Sequence, residues 1–318
     1  MDFFIQTIHF FVYLRMIIQP KNIYNMKKIV YLCAASLMFA ACGGGQQQGS
    51  QSQTQEQPKK EEVKVAKIFK TFPWDFPEGI KTPGLEAGCH VLVPSIVYST
   101  TENLAEEAYV FVEETIKNVG DKASTFAGDT CDVEMPNSLI IPLAKNQTAQ
   151  VGDVLLTWWQ SGWGSQRAIV TDATDPSRPK VAYLDLVWDE ESSSSAQKNM
   201  DQQLEAGTFT VLKSKEWQPG QNVVFKIDGK DEIFEIINLN DSKILGLRYD
   251  GKIHVLDRSQ CSIIPTDQQL KAGDKVRVRG LGTLDDNQKL TKVDSKIGRV
   301  WYNDGWSETC RTILEVVK

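Results

Sequence analysis

A chain that repeats its own landmarks in order folds as copies of one unit. Ser138-Leu139-Ile140-Ile141-Pro142 returns as Cys261-Ser262-Ile263-Ile264-Pro265 in its Ile-Ile-Pro core. A Gly-Asp start follows each: Val151-Gly152-Asp153-Val154, then Ala272-Gly273-Asp274-Lys275-Val276. Further on, Val181-Ala182-Tyr183-Leu184-Asp185 matches Val300-Trp301-Tyr302-Asn303-Asp304. Three landmarks in the same order, at nearly the same spacing, describe a duplication of about 120 residues per half.

Each half divides again. Leu85-Glu86-Ala87-Gly88-Cys89-His90-Val91 and Trp217-Gln218-Pro219-Gly220-Gln221-Asn222-Val223 open the first unit of each half, and the two Gly-Asp pairs open the second. Inside the units the pattern is short alternating strands, clearest at Asn222 to Ile227, Glu232 to Ile237, Ile244 to Tyr249 and Ile253 to Leu256. Asp228-Gly229 and Asp250-Gly251 separate them, and Asp-Gly between alternating apolar runs is a strong hairpin signal. The expected architecture is mainly β: tandem small barrels in a duplicated arrangement. A first half at 66–191 holds units at about 85–142 and 150–190, and a linker occupies 192–216. A second half at 217–318 holds units at about 219–265 and 272–318. Units this small bury little core alone, so each pair is expected to pack as one domain. The linker starts at Ser192-Ser193-Ser194-Ser195, with a short helix expected at Gln197 to Ala206.

One unit carries a family resemblance. Gly152-Asp153-Val154, then Trp158 and Trp159, Gly162-Trp163, Ala168-Ile169-Val170 and Val181-x-Tyr183-x-Asp185 together resemble Tudor and Agenet-type SH3-like barrels. The last unit is similar through Gly273-Asp274, Val300 and Tyr302-Asn303-Asp304-Gly305, and the other two only weakly. The resemblance implies the fold; the aromatic cages for methylated side chains in eukaryotic members are not an expected partner chemistry here.

Aromatic residues crowd two units: Trp158, Trp159, Trp163, Tyr183 and Trp188 in one, Trp301, Tyr302 and Trp306 in the other. On an alternating strand one of Trp158 and Trp159 faces outward. An exposed ring beside Asp185 suits a cationic or sugar ligand; equally, small barrels fill cores and interfaces with aromatics. Trp158, Trp163, Tyr183, Asp185, Trp301 and Tyr302 are therefore the candidate ligand-binding residues, beside the alternative that they are core. Catalytic chemistry is sparse. Past residue 41 there are two histidines, His90 and His254, and Cys89-His90 are neighbours whose side chains point to opposite faces of a strand. Cys89, Cys131, Cys261 and Cys310 lack the close pairing of zinc sites. Disulfides Cys89 to Cys131 and Cys261 to Cys310 are the most symmetric connectivity, with free thiols the alternative. No metal or cofactor motif is present.

The N-terminal part addresses location. Met26-Lys27-Lys28 followed by the apolar run Ile29 to Ala41 has the build of a secretory signal peptide and is shorter than the roughly 20 apolar residues of a membrane-spanning helix. Phe39-Ala40-Ala41-Cys42 resembles the lipobox of bacterial lipoproteins, with Phe39 in place of the usual leucine. That resemblance implies cleavage before Cys42 and acylation of its thiol and new amine, with palmitate-type chains that anchor the protein to a membrane. Residues 1–41 are then a leader, whose translation is expected to start at Met26. The Gln/Gly/Ser-rich run 43–57 has no apolar residue to bury, and 42–65 is expected to act as a flexible tether. Gly43 lacks the aspartate that favours inner-membrane retention, pointing to the outer membrane. A net charge of −6 and the absence of a basic, aromatic-interleaved stripe argue against nucleic acid. Two functions of different class follow: a non-catalytic envelope module binding peptide or glycan, or an envelope hydrolase built from scattered carboxylates or Cys89 and His90. A purely structural lipoprotein is a third.

Overall fold

The computed structural model describes residues 66–67, 80, 82–94, 109–128, 132–162, 164–185, 201–279, 284–302 and 314–316, all within one compact unit, Val63–Lys318. Among them are twenty strands in four sheets, two single 3-10 turns and no α-helix. The first sheet holds β1 (Ala66–Lys67), β2 (His90–Pro94), β3 (Phe111–Val119), β4 (Ala123–Phe126), β5 (Val133–Pro136) and β6 (Ile141–Pro142), in the order β1-β5-β4-β3-β2-β6. The second holds β7 (Val154–Trp158), β8 (Ser165–Asp172), β9 (Lys180–Tyr183), β10 (Asp201–Gln203) and β11 (Thr210–Leu212), in the order β10-β9-β8-β7-β11. The third holds β12 (Asn222–Ile227), β13 (Lys230–Leu239), β14 (Lys243–Arg248), β15 (Ile253–Asp257) and β16 (Ser262–Ile263), in the order β15-β14-β13-β12-β16. The fourth holds β17 (Lys275–Arg279), β18 (Leu284–Asp294), β19 (Arg299–Tyr302) and β20 (Leu314–Val316), in the order β19-β18-β17-β20. In every sheet a meander runs outward from one strand, and the unit's last strand returns to pair antiparallel with the meander's first. The sheets stay open; none closes into a barrel.

The equivalence of the four units extends to single hydrogen bonds. Each opens on a glycine with positive φ: Gly88 (81°), Gly152 (91°), Gly220 (83°) and Gly273 (94°). The amides of these glycines donate to the carbonyls of Ile116, Val170, Ile236 and Leu290, at 2.7, 2.9, 2.7 and 2.8 Å. The same four residues donate back to the carbonyls of Cys89, Asp153, Gln221 and Asp274. Directly beyond each of the four, the register of the second meander strand slips by one residue, a bulge that bends it. Asp-Gly is recurrent for a physical reason: the turn needs the left-handed backbone that glycine adopts freely, and the Asp153 carboxylate accepts the Gln150 amide at 2.7 Å, as Asp274 accepts the Lys271 amide at 3.0 Å. The third sheet's first hairpin closes on Asp228 (φ 51°) and Gly229 (φ 78°), the two positive φ values of a type I′ turn.

This equivalence corrects the sequence landmarks. Gly152 and Gly273 lie 121 positions apart, Val170 and Leu290 lie 120 apart, and Val170 pairs with Val181 as Leu290 pairs with Tyr302. Tyr302 therefore occupies the place of Val181, not of Tyr183. Likewise Leu143 donates to the His90 carbonyl as Ile264 donates to that of Asn222, so Leu143 and Ile264 are equivalent and the Ile-Ile-Pro match is two residues out of register. Both slips equal one pleat period, which leaves every side chain on its own face and the hydrophobic pattern unchanged.

The units do not pack as two pairs. One central core takes Val91, Phe111, Ile116 and Met135 from the first sheet, Val154, Leu156, Ile169 and Ala182 from the second, and Ile237, Leu245 and Ile253 from the third. The opposite face of the second sheet has its own core of Leu155, Ala168, Val170, Val181 and Tyr183. That sheet is thus covered on both sides, and its first strand reads as a continuous apolar run, Val154-Leu155-Leu156. The expected linker is part of it. Asp201–Gln203 is strand β10 against β9, where a helix was expected, and Thr210–Leu212 is β11 against β7. The Ser192–Ser195 stretch lies outside the described residues. The third and fourth sheets keep separate cores around Phe234 and Ile236, and around Val276 and Leu290. Asp231 ties these two sheets together, accepting from Lys226 and from Arg277, and this double pairing holds its carboxyl below the usual range.

Candidate binding groove

The aromatic residues singled out from the sequence are distributed between cores rather than gathered. Trp158 and Trp159 do point to opposite faces, but each is half-buried, Trp158 against the central core and Trp159 against the second sheet's own core. Gly162 makes room for the Trp159 ring, whose atoms lie 2.1–2.6 Å from where a Cβ would stand. Tyr183 is 0% exposed; its hydroxyl donates to the Gln202 side chain (2.9 Å) and accepts the Gln160 amide (3.0 Å), and burial pushes its pKa up to about 12. Asp185 is spent on Arg167, whose backbone amide and Nε both donate to it at 2.8 Å. Trp301 is buried, with Lys292 Nζ 4.2 Å from its ring centroid, and Tyr302 packs on the fourth core. Tyr183, Asp185, Trp301 and Tyr302 are thus core or ion-pair residues, and Trp163 lies outside the described residues, as do Trp188, Asp304 and Trp306.

The titratable groups do not assemble a reaction centre among the described residues. Cys89 and Cys261 carry free thiols; their expected partners Cys131 and Cys310, like Cys42, lie outside the described residues. Burial, and then the charge of Asp257, pushes the Cys261 thiol up to about 11, away from thiolate chemistry. His254 stands edge-on to Phe234 at 5.4 Å, and burial together with Arg248 lowers its pKa. His90 turns to Glu113 (Nδ1 to Oε1, 2.8 Å) and to the Trp158 ring (5.7 Å), away from Cys89, which is buried. No group of three or more His, Cys, Asp or Glu side chains that could hold a metal is present among the described residues.

Five separated segments meet instead to form a groove of about 400 Å³ where the first three sheets join. Thr82 and Pro83 come from the segment before β2, Pro142 from β6 and Thr210 from β11. Trp217, Gln218 and Pro219 come from the turn before β12, and Asn238 and Leu239 from the end of β13. The Trp217 indole is held in place by Arg258, whose guanidinium lies 4.7 Å from the ring centroid. The floor is pinned by a chain of hydrogen bonds across sheets: buried Asn238 donates to Thr82 Oγ1 (2.7 Å), which donates to the Asn137 carbonyl (2.6 Å). Thr210 accepts the Ala144 amide (3.1 Å), and the isolated Ala144–Phe209 bridge beside it joins the chain just after β6 to the residue before β11. None of the lining side chains among the described residues is ionisable. Nothing in the sequence pattern brings residues 82, 142, 217 and 238 together; only the packing of three units does.

Comparison with protein-family models gives no match, and comparison with curated proteins gives none either. No helix among the described residues is long and apolar enough to cross a membrane.

Proposed function

We propose that this chain is a lipid-anchored cell-envelope protein whose folded part is a non-catalytic binding module for peptide or glycan. The observation that carries the binding reading is the junction groove: a concave surface with an oriented tryptophan, three prolines and a leucine, walled by three sheets and with no acid or base among its described lining residues. The hydrolase alternative needs converging carboxylates in a pocket, or a histidine other than His90 against Cys89; no carboxylate is among the described residues that line the groove, and no group of three or more His, Cys, Asp or Glu side chains that could hold a metal is present among the described residues. The fold reading that accompanies it is of four SH3-like β modules. It is supported by the strand order each sheet repeats, with the modules opened and fused so that three share a core.

The test of the groove is an array of peptides and glycans probed with the mature protein and with its Trp217→Ala variant. A buried aromatic anchor at the centre of a site contributes about 2 kcal/mol or more, so hits are expected to weaken about thirtyfold. Hits retained at full strength by a folded Trp217→Ala protein would remove the groove as the site.

Anchoring rests on Phe39-Ala40-Ala41-Cys42 and is read by mass. The mature N-terminus is expected to be Cys42 carrying two or three acyl chains, in the outer membrane, because one chain alone gives only reversible binding. A mature polypeptide that keeps Ala40 and Ala41 without acyl mass would end that reading.

A further inference from the structure

We propose that the groove takes an uncharged, apolar stretch of polypeptide and not a sugar chain; this rests on the groove being the binding site. The choice follows from what its polar groups are already doing. Asn238 donates to Thr82 and to the Ser138 carbonyl, and its side-chain oxygen accepts the Leu239 amide (2.8 Å). Thr82 donates to Asn137, Thr210 accepts from Ala144, and Gln218 Nε2 donates to the Lys213 carbonyl (3.2 Å). All four polar lining side chains make hydrogen bonds within the protein; Asn238 and Thr82 spend most of their capacity holding the walls, and the Thr210 hydroxyl hydrogen and the rest of the Gln218 amide are what remains for a ligand. A glycan brings a hydroxyl on almost every ring carbon and loses water from each on entering. With so few partners left over, most of that desolvation is uncompensated. Apolar side chains need only the indole face, the proline rings and Leu239.

Charge and backbone narrow the ligand further. With no ionisable side chain among the described lining residues, a lysine or glutamate entering the groove gives up its hydration and meets no counter-charge from them. Pro83, Pro142 and Pro219 have no N–H, so these walls cannot extend a β ladder onto the ligand. Recognition therefore runs through inserted side chains and not through strand addition.

The test titrates the mature full-length chain by calorimetry with four probes: a capped octapeptide of alternating leucine and proline, the same peptide with two leucines replaced by lysine, the same with two replaced by glutamate, and chitotetraose. The neutral peptide is expected to bind at least tenfold tighter than either charged one, and Trp217→Ala is expected to weaken it at least tenfold. Pro83→Glu, at an exposed position on the lip, tests the same point without touching the core. It should weaken the neutral peptide about tenfold and strengthen the lysine peptide. Equal affinity for neutral and charged peptides overturns the proposal, as does peptide binding that neither variant changes. Chitotetraose binding that is lost in Trp217→Ala, with no peptide binding, overturns the ligand class and leaves the groove standing. No binding by any probe overturns both.

Discussion

Gly220→Ala is expected to destabilise the fold by about 2–5 kcal/mol, against about 1–2 kcal/mol for Gly152→Ala. The two glycines open equivalent units and make the same pair of backbone hydrogen bonds, with φ of 83° and 91°. Forcing an L-residue into that left-handed backbone costs both variants about 1–2 kcal/mol. They differ in what the new methyl meets. At Gly152 there is nothing within 4 Å; at Gly220 the Cβ lands 2.5 Å from Leu156 Cδ2, 3.0 Å from Cγ and 3.1 Å from Cβ. Leu156 is 1% exposed in the central core and has no free volume to retreat into, so overpacking adds about 1–3 kcal/mol. Urea denaturation followed by tryptophan fluorescence measures both. Leu156→Ala should be less harmful in the Gly220→Ala background than in the parent, a coupling that identifies the contact. Equal losses at Gly152 and Gly220 would show that the approach of the third unit to Leu156 is not what constrains this turn.

The repeat was legible because its origin is steric. A turn that demands positive φ selects glycine in all four units, and its neighbours Asp153 and Asp274 cap it with their own carboxylates. The same reasoning located Asn222 to Ile227 as a strand and Asp228-Gly229 as its turn. The internal register was harder to read because the Ile-Ile-Pro and Val-x-Tyr landmarks match by composition, and a two-residue slip preserves every face. β10 was invisible for another reason: Asp201-Gln202-Gln203 lies at the edge of its sheet and has no apolar alternation to distinguish it from a polar linker.

The candidate site was not legible at all. Clustered aromatics suggested an exposed ring beside Asp185, with core filling as the alternative; the second sheet is covered on both faces, and Trp158, Trp159 and Tyr183 pack against its two cores. The signal for this was present in Val154-Leu155-Leu156, where three consecutive apolar residues contradict a strand with one wet face. Trp217, a lone tryptophan beside a proline in a turn, carried no such signal. Its importance comes from Pro142 and Asn238, which reach it only through the way three units share one core.

Asp185→Asn is expected to cost about 3 kcal/mol of stability and to leave ligand affinity unchanged at temperatures where the protein is folded. Arg167 on β8 is nearly inaccessible, its side chain 4% exposed, and Asp185 receives its Nε, its terminal nitrogen and its backbone amide. Desolvation works against the guanidinium, but the Asp185 carboxylate, helped by Glu235 of β13, keeps its pKa above the ordinary value. Arginine therefore cannot relieve the loss of its partner by giving up a proton. Replacing Asp185 by the isosteric amide keeps the shape, removes the charge and leaves a cation in a low-dielectric interior, a change that typically costs about 3–5 kcal/mol. Glu235 moderates it toward the lower figure. The ion pair itself contributes little relative to an apolar contact of similar volume, because both groups lose their hydration on burial. Arg167→Met with Asp185→Leu is thus expected to recover to within about 1 kcal/mol of the parent. Urea midpoints for the single and double variants measure the cycle. A residue that met a ligand would behave in the opposite way, with Asp185→Asn weakening binding and leaving the midpoint in place. That outcome, or a single variant within about 0.5 kcal/mol of the parent, would return Asp185 to the list of ligand groups.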